Sequence, residues 1–422
     1  MTFRFDAAVR NRKRATGLKV GFFGLLGAGN IGNDGSLEVV LAHVREHYPD
    51  AELGCLCSGP GQVQARYGIP STSLLWYTSR DRRVTGLWAA ALKAAGKVID
   101  SIRTITWTRR FDVVIVPGAG VLETTLPLRA WGFPYALCLL SLSGRLWGTR
   151  VALLNVGSNV VRQDTTRLLF RTAARFAHYR SFRDALSRDA LGQTGLDTSN
   201  DQVYPELVFS LPDPPPVEVR ANAVGVGVME FHGSNDDRRR AREIRESYVA
   251  AMKEFVHWLV DNDREVRLLT GDAVDDTVVE EVLADVRSIY PGLPAGRVSA
   301  AKLTTLGDLL VEIASLGVVV GARYHNVVCS LKLAKPTISI SYSAKSDHIM
   351  ADMGLGEFCQ SARAVDVDRL IRQFTDLEAR DGEFRAAMTT RVEEKRSLLD
   401  AQYAVLAEKL FADPLKRTEV LW

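Results

Sequence analysis

The sequence predicts an α/β protein: two parallel-sheet domains facing each other across a cleft, with a long helix near the C-terminal end. Three observations predict it. The chain has 422 residues, which suits two domains, and 46% of them are hydrophobic, enough to build two sizeable cores. Short apolar runs alternate with amphipathic segments throughout, the βαβ pattern of a parallel sheet. One proline-rich stretch, LPDPPPVEV (211–219), breaks that alternation. It can continue neither a helix nor a central strand, so the main crossover is placed there.

In chain order, the first strand candidates are LKVGFFG (18–24), AELGCLC (51–57), FDVVIVPG (111–118) and RVALLNVG (150–157), each followed by a helix-like segment or a glycine-rich turn. After the crossover come AVGVGVMEF (223–231), EVRLLTGD (265–272), GVVVGAR (317–323) and KPTISISY (335–342). Between the first two of these, residues 238–262 carry Ile244, Tyr248, Met252, Phe255, Val256 and Leu259 at helical spacing. Residues from about 380 to 411 read as one long helix that packs back on the domains. The division is a basic N-terminal segment (1–17), a first domain (18–212), a second domain (213–379) and a C-terminal helix (380–422).

Bulk properties narrow the function classes. Lys and Arg number 53 against 50 Asp and Glu, a net charge of +3, which does not describe a general nucleic-acid binder. The five cysteines (Cys55, Cys57, Cys138, Cys329, Cys359) form no C-x-x-C pair and read as reduced core thiols, which suits a cytoplasmic protein. The N-terminal MTFRFDAAVRNRKRATG is basic without an apolar core, so no signal peptide is expected. No apolar run approaches the roughly 18 residues of a spanning helix.

The first strand leads into GAGNIGNDGS, which has the G-x-G-x-x-G spacing of a dinucleotide fingerprint. An NAD site also needs an acidic residue at the end of the second strand, to hold the ribose. That strand ends in CLCSGP, with Ser58 and no acid. The loop therefore reads as one that presents Asn30, Asn33 and Asp34 to the cleft, or as a plain tight turn.

The residues richest in chemistry lie in GVVVGARYHNVVCSLKLAKPTISISYSAK (317–345). Arg323 and His325 stand two apart at the carboxyl end of a buried strand, where ligands bind in open α/β sheets. Arginine offers a planar fork for carboxylate or phosphate, and histidine exchanges a proton near neutral pH. Lys345 follows the next strand, so the chain's return brings it beside His325. The alternative is a capping histidine and a solvated arginine. In YRSFRDALSRDAL (179–191), Asp184 or Ser187 can cap a helix and leave Arg183 aimed at the cleft; a surface salt bridge is the rival. In PGAGVLETT (117–125), Glu123 is a candidate base or binder of sugar hydroxyls, against an ordinary βα turn.

GNIGND after the first strand, RDALS, and GARYH…KPTISISYSAK together resemble the polysaccharide pyruvyl transferase family, over roughly residues 18–355. The resemblance implies a GT-B-like fold of two Rossmann-like domains, the first on the acceptor side and the second on the donor side. It implies phosphoenolpyruvate as donor and a pyruvate ketal on a sugar of an envelope polysaccharide or glycolipid as product. By that similarity Arg183, Arg323, Tyr324, His325 and Lys345 bind the donor, with Arg323 and His325 also catalytic. Asn30, Asp34 and Glu123 belong to the acceptor side. The residue chemistry agrees: a donor with a phosphate and a carboxylate calls for two or three cations. No cofactor is implied, and no ligand pattern compels a metal. A nucleotide-sugar glycosyltransferase on the same fold is the rival enzyme, and a non-catalytic sugar- or anion-binding protein the rival class.

Residues 76–110 hold Trp76, Trp88 and Trp107 among eight basic and two acidic side chains, 8 − 2 = +6 locally. That mixture suits an anionic membrane surface carrying a lipid-linked acceptor, with the inner face of the cell membrane as the place; an amphipathic helix packed on its own domain is the alternative.

Overall fold

The structure is a computed structural model that describes residues 17–76, 86–123, 130–233, 237–294 and 296–411, with side chains outside 86–94. Among them the chain divides into two compact units. One comprises the described residues up to Ala28, those from Ser36 to Val203 and those from Tyr403 on; the other comprises the described residues of Gly29–Gly35 and Tyr204–Gln402. The grouping thus changes at Tyr204, ahead of the proline-rich stretch, and moves a short N-terminal loop into the second unit.

The first unit is a seven-stranded parallel sheet. Its elements are β1 (Lys19–Gly24), α1 (Ile31–His47), β2 (Glu52–Cys57), α2 (Pro60–Tyr67), β3 (Ser71–Ser73), α3 (Gly86–Thr108), β4 (Val113–Pro117), α4 (Phe133–Trp147), β5 (Arg150–Val156), α5 (Asp164–Phe176), β6 (Tyr179–Phe182), α6 (Ala185–Gly192) and β7 (Gln202–Val203). The strand order is 3-2-1-4-5-6-7. The central β4 is buried along its whole length, the mark of a parallel strand covered on both faces. Trp107 closes the floor of this core: it is 6% exposed, packs at a tilt against Phe111 with ring centroids 4.5 Å apart, and leaves room for no side chain at Gly21.

The second unit has six parallel strands in the order 10-9-8-11-12-13. It runs β8 (Arg220–Gly227), α7 (Ala241–Asp261), β9 (Glu265–Leu269), α8 (Asp276–Ile289), β10 (Val298–Ala300), α9 (Leu306–Ala314), β11 (Leu316–Gly321), α10 (Tyr324–Lys332), β12 (Thr337–Ser341), α11 (Ala344–Asp352), β13 (Cys359–Ser361), α12 (Val367–Ala379) and α13 (Asp381–Leu406). The residues spaced for one face of α7, from Ile244 to Leu259, are all buried. Residues 212–219 form no regular element, yet the stretch is tied down: Lys332, whose side chain is fully buried, donates to Asp213 at 2.6 Å, and Arg396 of α13 shares the same carboxylate. The last residues of the long C-terminal helix group with the first unit, where Tyr403 stacks on His43 at 3.9 Å.

In both sheets the chain reverses its winding next to the first strand, between β1 and β4 and between β8 and β11. Such switch points open a crevice beyond the strands' carboxyl ends and are where open α/β sheets bind ligands.

Candidate active site

In the second unit, β11 ends at Gly321, one of the two strands flanking the switch point, and Arg323 and Tyr324 begin α10. The backbone N–H of Arg323 donates to Asn326 Oδ1 (3.3 Å), and Asn326 in turn reaches Thr270 O (3.1 Å), so the turn is fixed from within. The Arg323 fork is held by Asp275, a carboxylate with no exposed surface. Asp275 Oδ2 accepts from Arg323 Nε (2.9 Å), Gly271 N (3.2 Å) and Asp272 N (3.1 Å). Its Oδ1 accepts from Glu230 N (3.0 Å) and from Arg323 Nη2. Burial works against the arginine's charge, but the Asp275 carboxylate outweighs it and holds the guanidinium above its ordinary pKa. The stem of Arg323 passes over Gly271, where a Cβ would lie 2.9 Å from Cγ.

His325 stands edge-on to Tyr324, with ring centroids 5.4 Å apart, and the Lys345 ammonium, in the first turn of α11, lies 5.6 Å from the Tyr324 ring. The structure thus brings Arg323, Tyr324, His325 and Lys345 together within one unit. The loop after β1 joins them. Asn30 caps α1, accepting from Asn33 N (3.1 Å), and donates to Asp272 Oδ2 (3.2 Å). Asp34 is buried in the first turn of α1. Gly32 faces the His325 ring: an added Cβ would lie 1.8 Å from Cε1. Of the glycines that suggested a phosphate-cradling fingerprint, Gly32 therefore serves a close approach of backbone to imidazole, while Gly27 lies against the Gly59 carbonyl.

In the first unit, Glu123 and Arg183 form a buried pair, Arg183 Nη2 to Glu123 Oε1 at 2.5 Å, with Arg183 Nε 3.7 Å from Asp184. Asp184 is the N-cap of α6, accepting from Ser187 N at 2.6 Å. Glu123 follows β4 at the switch point, in a turn where Gly118 (φ 46°) and Ala119 (φ 60°) both take the left-handed conformation. A non-glycine residue there marks a constrained turn. Gly157 leaves space for the pair, since a Cβ would lie 2.4 Å from Arg183 Nη2 and 2.5 Å from Glu123 Oε1. Arg183 is thus neither solvated nor on a surface; Glu123 and Asp184 offset its charge.

Asp275 and Asp272 are the residues of this candidate site that motif reading missed. Their signal was present: TGDAVDD after β9 is a capping box in which Asp272 and Asp275 bond reciprocally across a turn. No group of three or more metal-binding side chains occurs among the described residues. Of the aromatic residues singled out in 76–110, Trp107 is a core residue and not an interfacial one, Trp76 is 38% exposed, and Trp88 lies outside the described side chains.

Two parallel-sheet α/β units with switch points of this kind are the architecture of the GT-B fold, and solved structures of that fold resemble the chain. A putative UDP-N-acetylglucosamine 2-epimerase from Listeria monocytogenes is 11% identical, covering 94% of this chain and 98% of its own, with a TM-score of 0.57. Anabaena HepE, solved with UDP and glucose, is 12% identical over 92% and 99% of the two chains, with a TM-score of 0.55. The lipopolysaccharide outer core galactosyltransferase WaaB is 12% identical over 93% and 100%, with a TM-score of 0.51. At such identities the likeness speaks for the fold alone. No curated protein matches the chain. The family model for polysaccharide pyruvyl transferases matches residues 30–344, and the chain belongs to that family. It is a transferase, of a family that transfers pyruvate onto polysaccharide.

Proposed function

We propose that the protein transfers pyruvate from phosphoenolpyruvate to two hydroxyls of one sugar in an envelope polysaccharide or glycolipid, releasing phosphate and leaving a cyclic ketal. The observation that carries this reading is the Asp275-anchored Arg323 beside His325 and Lys345 at the switch point of the second unit. The donor brings a phosphate and a carboxylate. A preoriented guanidinium and an ammonium match them, and fixed charges act most strongly in a site that needs no reorganisation.

In this reading His325 is the acid. It delivers a proton to the donor's methylene carbon, C2 gains positive character, and a sugar hydroxyl adds there with loss of its proton. The second hydroxyl then displaces phosphate at C2; the first hydroxyl's proton replaces the one His325 delivered, and the second's leaves on the phosphate as hydrogenphosphate. Arg323 and Lys345 stabilise the phosphate as it leaves, and Tyr324 supports the Lys345 charge with its ring face. Asn30 and Asp34 hold the loop against His325. In the first unit, Glu123 receives acceptor hydroxyls, and the buried Arg183, its charge offset by Glu123 and Asp184, holds that carboxylate in place in lieu of binding the donor. In this reading the reaction takes place in the cytoplasm, at the inner membrane face where lipid-linked acceptors lie.

The test is incubation with an acceptor glycan and either phosphoenolpyruvate or a UDP-sugar. Phosphate release with the first alone supports the reading. UDP release with the second alone replaces it with a nucleotide-sugar glycosyltransferase.

A further inference from the structure

We propose that the outer face of α3 and α4 in the first unit is a docking surface for an anionic lipid bilayer. This rests on the membrane part of the reading above and extends it from α3, within segment 76–110, to Trp131, Arg145, Leu146 and Trp147 beyond that segment. Soluble proteins scatter exposed apolar side chains singly, and their concentration on one face signals an interaction. Here Val98 (61% exposed) and Ile102 (56%) lie four residues apart on α3, and Leu146 (77%), Trp147 (43%) and Trp131 (60%) flank the neighbouring α4.

The two helices lie side by side and run the same way. Ser101 Oγ meets Tyr135 OH at 3.1 Å near one end, and Thr149 Oγ1 donates to Thr108 O at 3.0 Å at the other. Trp131 packs on Tyr135 at 5.4 Å, which places it at the first end. Arg109 sits 4.0 Å from the Trp147 ring, which places the Leu146–Trp147 pair at the second. The apolar side chains thus line a ridge bracketed by two tryptophans.

The charge on this ridge selects the partner. Arg109, Arg110 and Arg145 are exposed, and Lys97 and Arg103 partly so. Among the described residues, Asp100 and Asp112 are already engaged: Asp100 accepts from Trp76 N (2.6 Å) and Lys97 (3.3 Å), and Asp112 accepts from Lys19 N (3.0 Å). Exposed Trp, Leu and Ile interleaved with arginine fit the boundary between headgroups and acyl chains, where the rings insert and the cations meet anionic lipid.

The experiment is co-sedimentation of the full chain with phosphatidylcholine vesicles, with and without phosphatidylglycerol, for wild type, Leu146→Ser/Trp147→Ser and Arg109→Glu/Arg145→Glu. These positions are exposed, so folding persists, which thermal unfolding checks. Wild type should bind only the anionic vesicles and lose binding in high salt, and each double variant should bind at least about tenfold more weakly, the effect of withholding one large side chain or two charges. Phosphate release on a soluble acceptor should be unchanged. Equal binding to neutral vesicles, no binding, or variants that bind like wild type overturns the proposal. So does a dimer in sedimentation velocity that Trp147→Ser dissociates, since the ridge would then be a self-association face. Failure of wild type to turn over phosphoenolpyruvate would overturn the proposed reaction while leaving the vesicle result standing.

Discussion

Replacing Asp275 with Asn should cost the protein both stability and grip on its donor. Five donors converge on that carboxylate: three backbone N–H groups and two N–H groups of Arg323. An amide keeps one acceptor oxygen and turns an NH2 toward the other donors, so at least two of them lose their partner. Each buried donor left unmet costs about 1–3 kcal/mol. Breaking a buried ion pair from one side costs about 3–5 kcal/mol, less here because the Arg323 side chain is 23% exposed. About 3 kcal/mol is the reasonable total. For a unit of this size, each kcal/mol shifts the midpoint by about 2–4 °C, so the second unit should melt about 6–12 °C lower. The freed guanidinium should also raise the KM for phosphoenolpyruvate while leaving that for the acceptor unchanged. Scanning calorimetry and phosphate release under varied donor measure the two effects. A variant that melts within about 1 °C of wild type with the same donor KM would refute the idea that Asp275 presents Arg323.

Three further outcomes follow from the geometry. Gly32→Ala puts a Cβ 1.8 Å from the His325 ring, so the imidazole must move; phosphate release should fall about a hundredfold with the circular dichroism spectrum intact. Gly157→Ala forces the Glu123–Arg183 pair apart and should cost about 1–3 kcal/mol in urea unfolding. Lys335, almost wholly buried, donates to the carbonyls of Ala314 and Leu316, and burial lowers its pKa to about 8 from 10.5. Between those values the unfolded chain holds a proton that the folded chain has released. This group therefore adds stability as pH rises through that window, and Lys335→Met should flatten the rise in melting temperature.

Much of the fold was legible in the sequence because parallel strands covered on both faces read as continuous apolar runs. LKVGFFG, FDVVIVPG and RVALLNVG announce β1, β4 and β5 in this way. The short strands β3, β7, β10 and β13 were not legible. Two or three residues cannot display a period, and their pairing is decided by the neighbouring strand. At the site, Arg323, His325 and Lys345 were readable because a strand end followed by chemical side chains is a local pattern. Asp275 was not, since its role depends on an arginine 48 residues away. The same limit explains Trp107: its basic flanks suggested a lipid surface, while the contact that buries it, with Phe111 beneath Gly21, belongs to the folded core.

The most direct measurement is mass spectrometry of an acceptor glycan after incubation with phosphoenolpyruvate, using wild type and His325→Ala. Wild type should yield a glycan heavier by one pyruvate less one water, with an equal amount of phosphate, and the variant should yield neither. An unchanged glycan with wild type, or full ketal formation by the variant, would contradict the assignment of this imidazole and its neighbouring cations to pyruvate transfer.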